Sequence, residues 1–201
     1  MSNYINLRDV VGQRLAGCGG GQERHLTEAA VMIAFAMHLL EEGAEAIELH
    51  PDGEHGKQHD IKATLEGLGF QHREVRGTTK YGGVYSRGAQ TVTVSLRPGL
   101  GDVVARTRST TIVAECKGGV VNSRHAGLQS RLRRGLCEAV GLLMARPLQD
   151  ERHIAVVPST KATETLAKQI LPRALAAHIE LALVSETGEV SFVETRQLKP
   201  E

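Results

Sequence analysis

The chain has 201 residues, of which 41% are apolar and 23% are charged, and its formal net charge at pH 7 is +1. This length suits one domain with a sizeable core, and the balance of apolar and charged residues is typical of a soluble globular protein. A net charge so close to zero gives no global sign of binding to nucleic acid or to a membrane, so any such signal has to be local.

Cysteine usage and targeting features favour a cytoplasmic protein. Cys18, Cys116 and Cys137 are odd in number and share no CxxC spacing, which indicates reduced thiols and argues against a structural zinc site. Residues 1–15 lack a basic segment followed by an apolar run, so no signal peptide is expected. The most apolar run, at 29–40, is too short to cross a bilayer, which takes about 20 residues, so no membrane partner is expected.

Apolar spacing and turn residues predict alternating helices and strands. The first half contains, in order, a helix from near Gln22 to near Gly43, a strand at 44–50, a helix at 57–70, a strand at 71–75, and a Gly- and Tyr-containing loop at 76–90. The second half contains strands at 91–96, 102–106 and 111–116, a helix at 122–145, a strand at 153–158, a helix at 160–178, and strands at 179–185 and 189–194. This order predicts a single α/β domain over 1–201 with a mixed sheet, a core at about 22–184 and an N-terminal segment at 1–21.

The strand candidates at 102–106 and 111–116 carry acidic residues at one end. If they form a hairpin in which Arg106 pairs with Thr111, Asp102 lies opposite Glu115, with Cβ atoms about 4.5–5.5 Å apart. Two carboxylates this close repel each other unless a divalent cation lies between them, and oxygen ligands favour Mg²⁺ or Mn²⁺ over zinc. Lys117 lies on the same face as Glu115, within reach of a metal-bound water or a phosphate.

Cys116 lies between Glu115 and Lys117 in the chain, so its side chain should point to the opposite face of the strand, into the core. This orientation argues against Cys116 as a thiol nucleophile. An alternative interpretation of the whole cluster stays open, because strand ends meet water and often carry acids and lysines.

The segments "GDVVA" and "TIVAECK", separated by a variable turn, resemble the PD-(D/E)xK nuclease superfamily, whose pattern is Asp, a spacer, then Glu-x-Lys. The order of elements over about 22–184 is similar to the restriction-endonuclease-like α-β-β-β-α-β core, a central mixed sheet flanked by helices. Gly101 stands where the family usually has proline. The resemblance implies that Asp102 and Glu115 bind the metal, and that Lys117 orients the attacking water or stabilises the developing charge.

The resemblance also implies two helical residues in the site. Many members add a glutamate from the first helix, for which Glu28 is the first choice and Glu23 the second. Several relatives place a glutamine on the helix after the Glu-x-Lys strand, and Gln129 fits that position. The alternatives are an acid that favours a helix start because of the helix dipole, and a glutamine that faces solvent.

The segment 116–149 is locally basic, with six Lys and Arg residues against one acid and therefore a charge of +5. The DNA-binding candidates within it are Arg124, Arg131, Arg133 and Arg134, because arginines grouped near a metal site suit the phosphate backbone. The alternative is an amphipathic helix with a solvated basic face. The loop at 76–90 contains further candidates for contact with a nucleic-acid strand, Arg76, Lys80, Tyr81, Tyr85 and Arg87. The alternative is a disordered surface loop. A counter-patch of acids, Glu41, Glu42, Glu45, Glu48, Asp52 and Glu54, would steer DNA away from its side of the protein.

Two further clusters are weaker candidates for a site. The histidine-rich segment 50–60 lacks a firm ligand spacing such as HExxH, so it is a poor metal site. The glycine cluster Gly17–Gly21 has neither the GK[ST] ending nor the GxGxxG spacing of a phosphate-binding loop, so it is better interpreted as a flexible cap.

The sequence thus predicts a Mg²⁺- or Mn²⁺-dependent nuclease, an endonuclease that hydrolyses DNA phosphodiester bonds. The main alternative is an inactive nuclease-like module that binds DNA or protein, and a third is a small-molecule enzyme using zinc or nickel in the histidine-rich segment. A homodimer would be needed to cut both strands, and a targeting protein is a further possible partner. The form of the DNA, and RNA as a substrate, stay open.

Overall fold

The computed structural model of the chain describes residues 23–52, 55–147 and 150–194. Eleven strands and five helices lie within these ranges, so the predicted α/β class is confirmed. The N-terminal segment 1–21 with its glycine cluster Gly17–Gly21 and Cys18, and also Glu54, lie outside the described residues.

Nine strands form one mixed sheet, and two short strands pair separately. The strands are β1 (His25–Leu26), β2 (Ala46–Leu49), β3 (Gln71–Val75), β4 (Gly83–Arg87), β5 (Gln90–Val94), β6 (Val103–Arg106), β7 (Thr111–Cys116), β8 (Gly119–Val120), β9 (Glu151–Pro158), β10 (Ile179–Val184) and β11 (Val190–Phe192). The order in the large sheet is β11-β10-β9-β7-β6-β2-β5-β4-β3, and β1 pairs with β8. The helices are α1 (Glu28–Glu41), α2 (His55–Gln58), α3 (Ile61–Gly67), α4 (Ala126–Met144) and α5 (Lys161–Ala176).

The centre of the sheet contains the predicted hairpin in the predicted register. Strands β6 and β7 are antiparallel, with Arg106 opposite Thr111 and Val103 opposite Ala114. On one side of the hairpin β2 runs antiparallel to β6, and on the other β9 runs parallel to β7. The segment 91–96, which precedes the hairpin in the chain, does not lie beside it, because β2 comes between β5 and β6.

Helices cover both faces of this sheet. Helix α1 packs on one face with Ile112, Ala114 and Cys116 of β7, and most of its residues are buried, which explains the length of its apolar run. Helices α4 and α5 pack on the other face, on which Val113 lies. Because β7 alternates between two buried faces, Cys116 points away from Glu115 as predicted. Within the described ranges, no helix is long and apolar enough to cross a membrane.

Several predicted boundaries were wrong. The predicted helix 57–70 is divided into α2 and α3, and the helix predicted to begin at 122 begins at Ala126. Helix α1 begins at Glu28 and not near Gln22, because the Thr27 side chain caps it by accepting a hydrogen bond from the Ala30 N–H at 3.1 Å, while His25 and Leu26 pair with β8. The predicted loop 76–90 contains strand β4, which joins β3 and β5 as an antiparallel extension of the sheet.

Candidate active site

Asp102 and Glu115 lie at the same end of the hairpin. Asp102 immediately precedes β6, and extending the observed register by one pair places it opposite Glu115. The Asp102 carboxylate accepts a hydrogen bond from the Cys116 backbone N–H at 2.7 Å, which ties it to the end of β7. Glu115 is only 6% exposed, so its carboxylate is not a solvated charge at the end of a strand.

Gly101 allows this end of the hairpin to close tightly. A Cβ atom at Gly101 would lie 2.8 Å from the Ala114 carbonyl oxygen and 2.9 Å from a methyl carbon of Val113. The backbone geometry found here therefore favours glycine before Asp102, because a Cβ atom at this position would lie too close to β7.

Lys117 connects the hairpin to α1 and α4. Its Nζ lies 3.4 Å from Glu28 Oε1 and 3.3 Å from Glu138 Oε1. The approach of β7 to α1 depends on Gly118, where a Cβ atom would lie 2.5 Å from the Leu26 carbonyl oxygen and 2.6 Å from the Glu28 nitrogen. The structure thus brings Glu28 into the cluster. The contact with Glu138, whose side chain is 60% exposed, was not predicted from the sequence.

His59 holds the start of α1 in place. Its Nδ1 lies 3.2 Å from Thr27 Oγ1 and its Nε2 lies 2.9 Å from Thr64 Oγ1. Burial lowers the pKa of His59 to about 4, partly offset by the nearby Asp60 carboxylate. This histidine is therefore a neutral, hydrogen-bonded structural residue, which weakens the metal interpretation of the histidine-rich segment.

Arg146 contacts Glu115 from the opposite end of α4. Its guanidinium nitrogen lies 2.5 Å from Glu115 Oε1, and the two side chains are 25% and 7% exposed. Arg146 belongs to the basic segment 116–149, but its contact with Glu115 was not predicted. No local signal links two residues 31 positions apart, and the contact arises because α4 runs back along the sheet before Arg146 follows its last turn.

Asp102 is more easily protonated than an ordinary aspartate. Its pKa rises to about 7, chiefly because of burial and also because of the nearby carboxylates of Glu115 and Glu28, against the opposing effects of the Cys116 N–H and Lys117. Burial alone would lower the pKa of Lys117, but the carboxylates of Glu28, Asp102 and Glu138 outweigh burial and raise it. Lys117 is therefore a permanent cation beside an easily protonated acid.

The Cys116 thiol takes no part in this cluster as a nucleophile. Complete burial raises its pKa well above the usual value for a thiol, and the neighbouring carboxylates act in the same direction. A buried, protonated thiol on the opposite face of β7 cannot attack a substrate at the hairpin end.

The donor set fits a hard divalent cation. Asp102 and Glu115 offer carboxylate oxygens from neighbouring strands, the ligands that Mg²⁺ and Mn²⁺ prefer. Among residues 23–52, 55–147 and 150–194, no group of three or more His, Cys, Asp or Glu side chains is arranged to hold a metal ion. The protein would thus supply two carboxylates, and water or substrate would complete the coordination.

Two predicted site residues lie outside this cluster. The Gln129 side-chain amide donates to the Ser123 carbonyl oxygen at 3.5 Å, and no hydrogen bond joins it to the carboxylates. Glu23 is exposed and precedes β1, so of the two candidate glutamates the structure brings only Glu28 to Lys117.

The predicted DNA-binding arginines lie on the surface. All four are exposed, Arg124 just before α4 and the other three along its first half, Arg131, Arg133 and Arg134. None of the four forms an ion pair with another residue of the described ranges, and the Arg133 side chain donates only a long hydrogen bond, 3.5 Å, to the Gln129 carbonyl. Their charges are therefore available to an external anion.

Two of the predicted nucleic-acid contacts in the segment 76–90 pack against the protein itself. Tyr85 is fully buried, donates its hydroxyl hydrogen bond to the Tyr81 carbonyl at 2.8 Å, and stacks on His72 with ring centroids 4.3 Å apart. The guanidinium of Arg87 lies over the Phe70 ring. These side chains stabilise the edge of the sheet and are not free to track a nucleic-acid strand.

The predicted counter-patch of acids is partly neutralised. Glu45 lies 3.3 Å from Arg108, and Glu48 lies 3.5 Å from Arg106. Both pairs are largely exposed, so they contribute little to stability, but they reduce the negative potential on that side.

Comparison of the chain with models of protein families, with curated proteins and with solved structures finds no match.

Proposed function

We propose that the protein is a metal-dependent nuclease of the PD-(D/E)xK type, an endonuclease that hydrolyses DNA phosphodiester bonds. The observation that carries this proposal is the meeting of Asp102, Glu115, Lys117 and Glu28 at one end of the central hairpin, where burial and mutual repulsion raise the pKa of Asp102 to about 7. The order α1-β2-β6-β7-α4-β9, with β7 and β9 parallel, supports a restriction-endonuclease-like core.

Each residue has a role that follows from its surroundings. Asp102 and Glu115 would hold Mg²⁺ or Mn²⁺, which when bound supplies Lewis-acid activation of water and of the phosphate. Lys117 stays protonated because the surrounding carboxylates raise its pKa, so it donates hydrogen bonds to anionic oxygen and does not accept the proton of the attacking water. Glu28 orients the Lys117 ammonium from the start of α1.

The exposed arginines on and before α4 bind the phosphate backbone and present it to the hairpin end. Four cations without ion-pair partners among the described residues give a contact that is independent of sequence and depends strongly on salt. Because the proposed site cuts one strand, cleavage of both strands requires a homodimer or two successive events, and a targeting partner would supply sequence preference.

One observation favours the second candidate, an inactive nuclease-like module that binds DNA. Arg146 engages a Glu115 oxygen at 2.5 Å, and a protein that never binds metal would keep that ion pair permanently. Such a module would use the α4 arginines without the chemistry.

Cleavage assays separate the two candidates. We expect nicking or cutting of supercoiled plasmid, linear duplex, single-stranded or branched DNA in Mg²⁺ or Mn²⁺, and its loss in Glu115→Gln and Lys117→Met. Glu28→Gln should lower the rate, while the matched control Glu23→Gln, an exposed acid outside the cluster, should not. DNA binding without cutting by the wild-type protein on every substrate, RNA included, would favour the inactive module.

A further inference from the structure

Arg146 is the one cation in direct contact with a candidate metal ligand among the described residues. It follows the last turn of α4, and its guanidinium reaches Glu115 Oε1 at 2.5 Å in a partly buried setting. Lys117, the other cation of the cluster, contacts Glu28 and Glu138 instead. Glu115 and Lys117 therefore belong to separate ion pairs.

The contact between Arg146 and Glu115 is incomplete. Only one guanidinium nitrogen bonds to Glu115, and the buried Nε of Arg146 has no hydrogen-bond partner among the described residues. A guanidinium usually binds a carboxylate through two parallel N–H groups, and a buried unpaired donor is unfavourable. The pair therefore satisfies the Glu115 charge without saturating Arg146, as expected of a contact that is exchanged for another.

A divalent cation at Glu115 would lie close to this guanidinium. The cation and Arg146 would share one buried carboxylate, and their like charges repel in this partly buried setting. Cation binding and the Arg146 contact are therefore mutually unfavourable, whichever oxygen of Glu115 the cation takes.

We propose that Arg146 is a positioning residue that holds Glu115 in the metal-free protein and competes with the divalent cation for it. This inference rests on the proposed function, because it assumes that Glu115 is a metal ligand. Arg146 thereby sets the metal concentration at which the site fills.

The test measures metal binding on the full chain, without DNA. Free Mn²⁺ is counted by electron paramagnetic resonance for the wild type, Arg146→Met, Arg146→Lys, Glu115→Gln and the control Arg173→Met, an exposed arginine near the end of α5. Removal of the competing charge should tighten Mn²⁺ binding by about tenfold in Arg146→Met, the size expected for loss of one charge-assisted hydrogen bond. Arg146→Lys should stay close to the wild type, Arg173→Met should match it, and Glu115→Gln should bind weakly.

A second measurement uses the wild-type protein, so it does not depend on how a variant folds. In protein with ¹⁵N-labelled arginine, saturation with Mg²⁺ should speed the exchange of the Arg146 guanidinium protons with water, because the Glu115 contact is released. Unchanged exchange at saturation would refute the competition.

The outcomes separate this inference from the proposed function. Mn²⁺ binding that needs Glu115 but is unchanged or weakened by Arg146→Met overturns the role of Arg146 and leaves the nuclease proposal standing. Equal Mn²⁺ binding in the wild type and Glu115→Gln overturns both.

Discussion

Replacement of Asp102 by asparagine should make the metal-free protein more stable while removing the proposed nuclease activity. Asparagine has nearly the same shape, and its side-chain oxygen can still accept the hydrogen bond that the Cys116 N–H donates at 2.7 Å. What disappears is a buried negative charge that lies beside the carboxylates of Glu115 and Glu28. The native protein carries this charge only at a cost in stability.

The magnitude follows from the pKa of Asp102, which rises from 3.8 to about 7 on folding. Each unit corresponds to 1.36 kcal/mol, so an upper limit is about 4 kcal/mol, and relaxation of the site reduces this to roughly 2–4 kcal/mol at about pH 8. Between pH 3.8 and about 7 the folded protein keeps a proton that the unfolded chain has released. Stability therefore falls as pH rises through this window, and the advantage of Asp102→Asn should shrink toward zero near pH 4.

The assay is guanidinium chloride unfolding in EDTA at several pH values between about 4 and 8, with Asp102→Asn beside the wild type. Asp150→Asn, a change of the same type at an exposed position, serves as the control and should leave the free energy of unfolding unaltered. Added Mg²⁺ should stabilise the wild type and not Asp102→Asn. An Asp102→Asn protein that is no more stable than the wild type at about pH 8 would show that the Asp102 charge does not lower the stability of the folded protein.

Three more predictions test the framework of the site and its proposed DNA contact. Gly118→Ala should lower the free energy of unfolding by about 2 kcal/mol or more and reduce cleavage, because the new Cβ would lie 2.5 Å from the Leu26 carbonyl oxygen. Equal midpoints of urea unfolding for Gly118→Ala and the wild type would contradict this prediction. As pH falls from 6.5 to about 4, the free energy of unfolding of the wild type should fall by up to about 3 kcal/mol more than that of His59→Gln, because the folded pKa of His59 lies below the unfolded one. Parallel profiles of stability against pH would contradict this prediction. Arg131→Gln should weaken DNA binding and reduce the slope of log K against log salt by about one, as measured by fluorescence anisotropy, whereas an unchanged slope would remove Arg131 from the interface.

The parts of the fold that depend on local sequence were predictable. The register of β6 and β7 followed from a short turn and a two-residue side-chain period, and it placed Asp102, Glu115 and Lys117 at one end of the sheet. The same alternation predicted that Cys116 would be buried on the opposite face, where the structure places it.

The parts that depend on distant pairing were not predictable. Strand β2 lies between β5 and β6 although it precedes β5 by some 40 residues, and no local pattern encodes which strand becomes its neighbour. The Arg146–Glu115 contact has the same origin, since it requires the path of the whole of α4. Glu28 and Glu23 were both reasonable from sequence, and the Thr27 cap, which places the start of α1 beside Gly118, separates them.

The surroundings of the cluster argue against a strand end that merely meets water. Under that interpretation the charges would be solvated and their pKa values ordinary, yet Glu115 is 6% exposed and the pKa of Asp102 rises to about 7. The Asp102 charge lowers the stability of the fold at neutral pH, and such an arrangement persists only where the surrounding contacts impose it. Those contacts are specific: Gly101 and Gly118 permit close backbone approach, and His59 supports the cap of α1. These contacts keep the cluster together although burial opposes its charges, which supports our proposal that it binds a divalent cation.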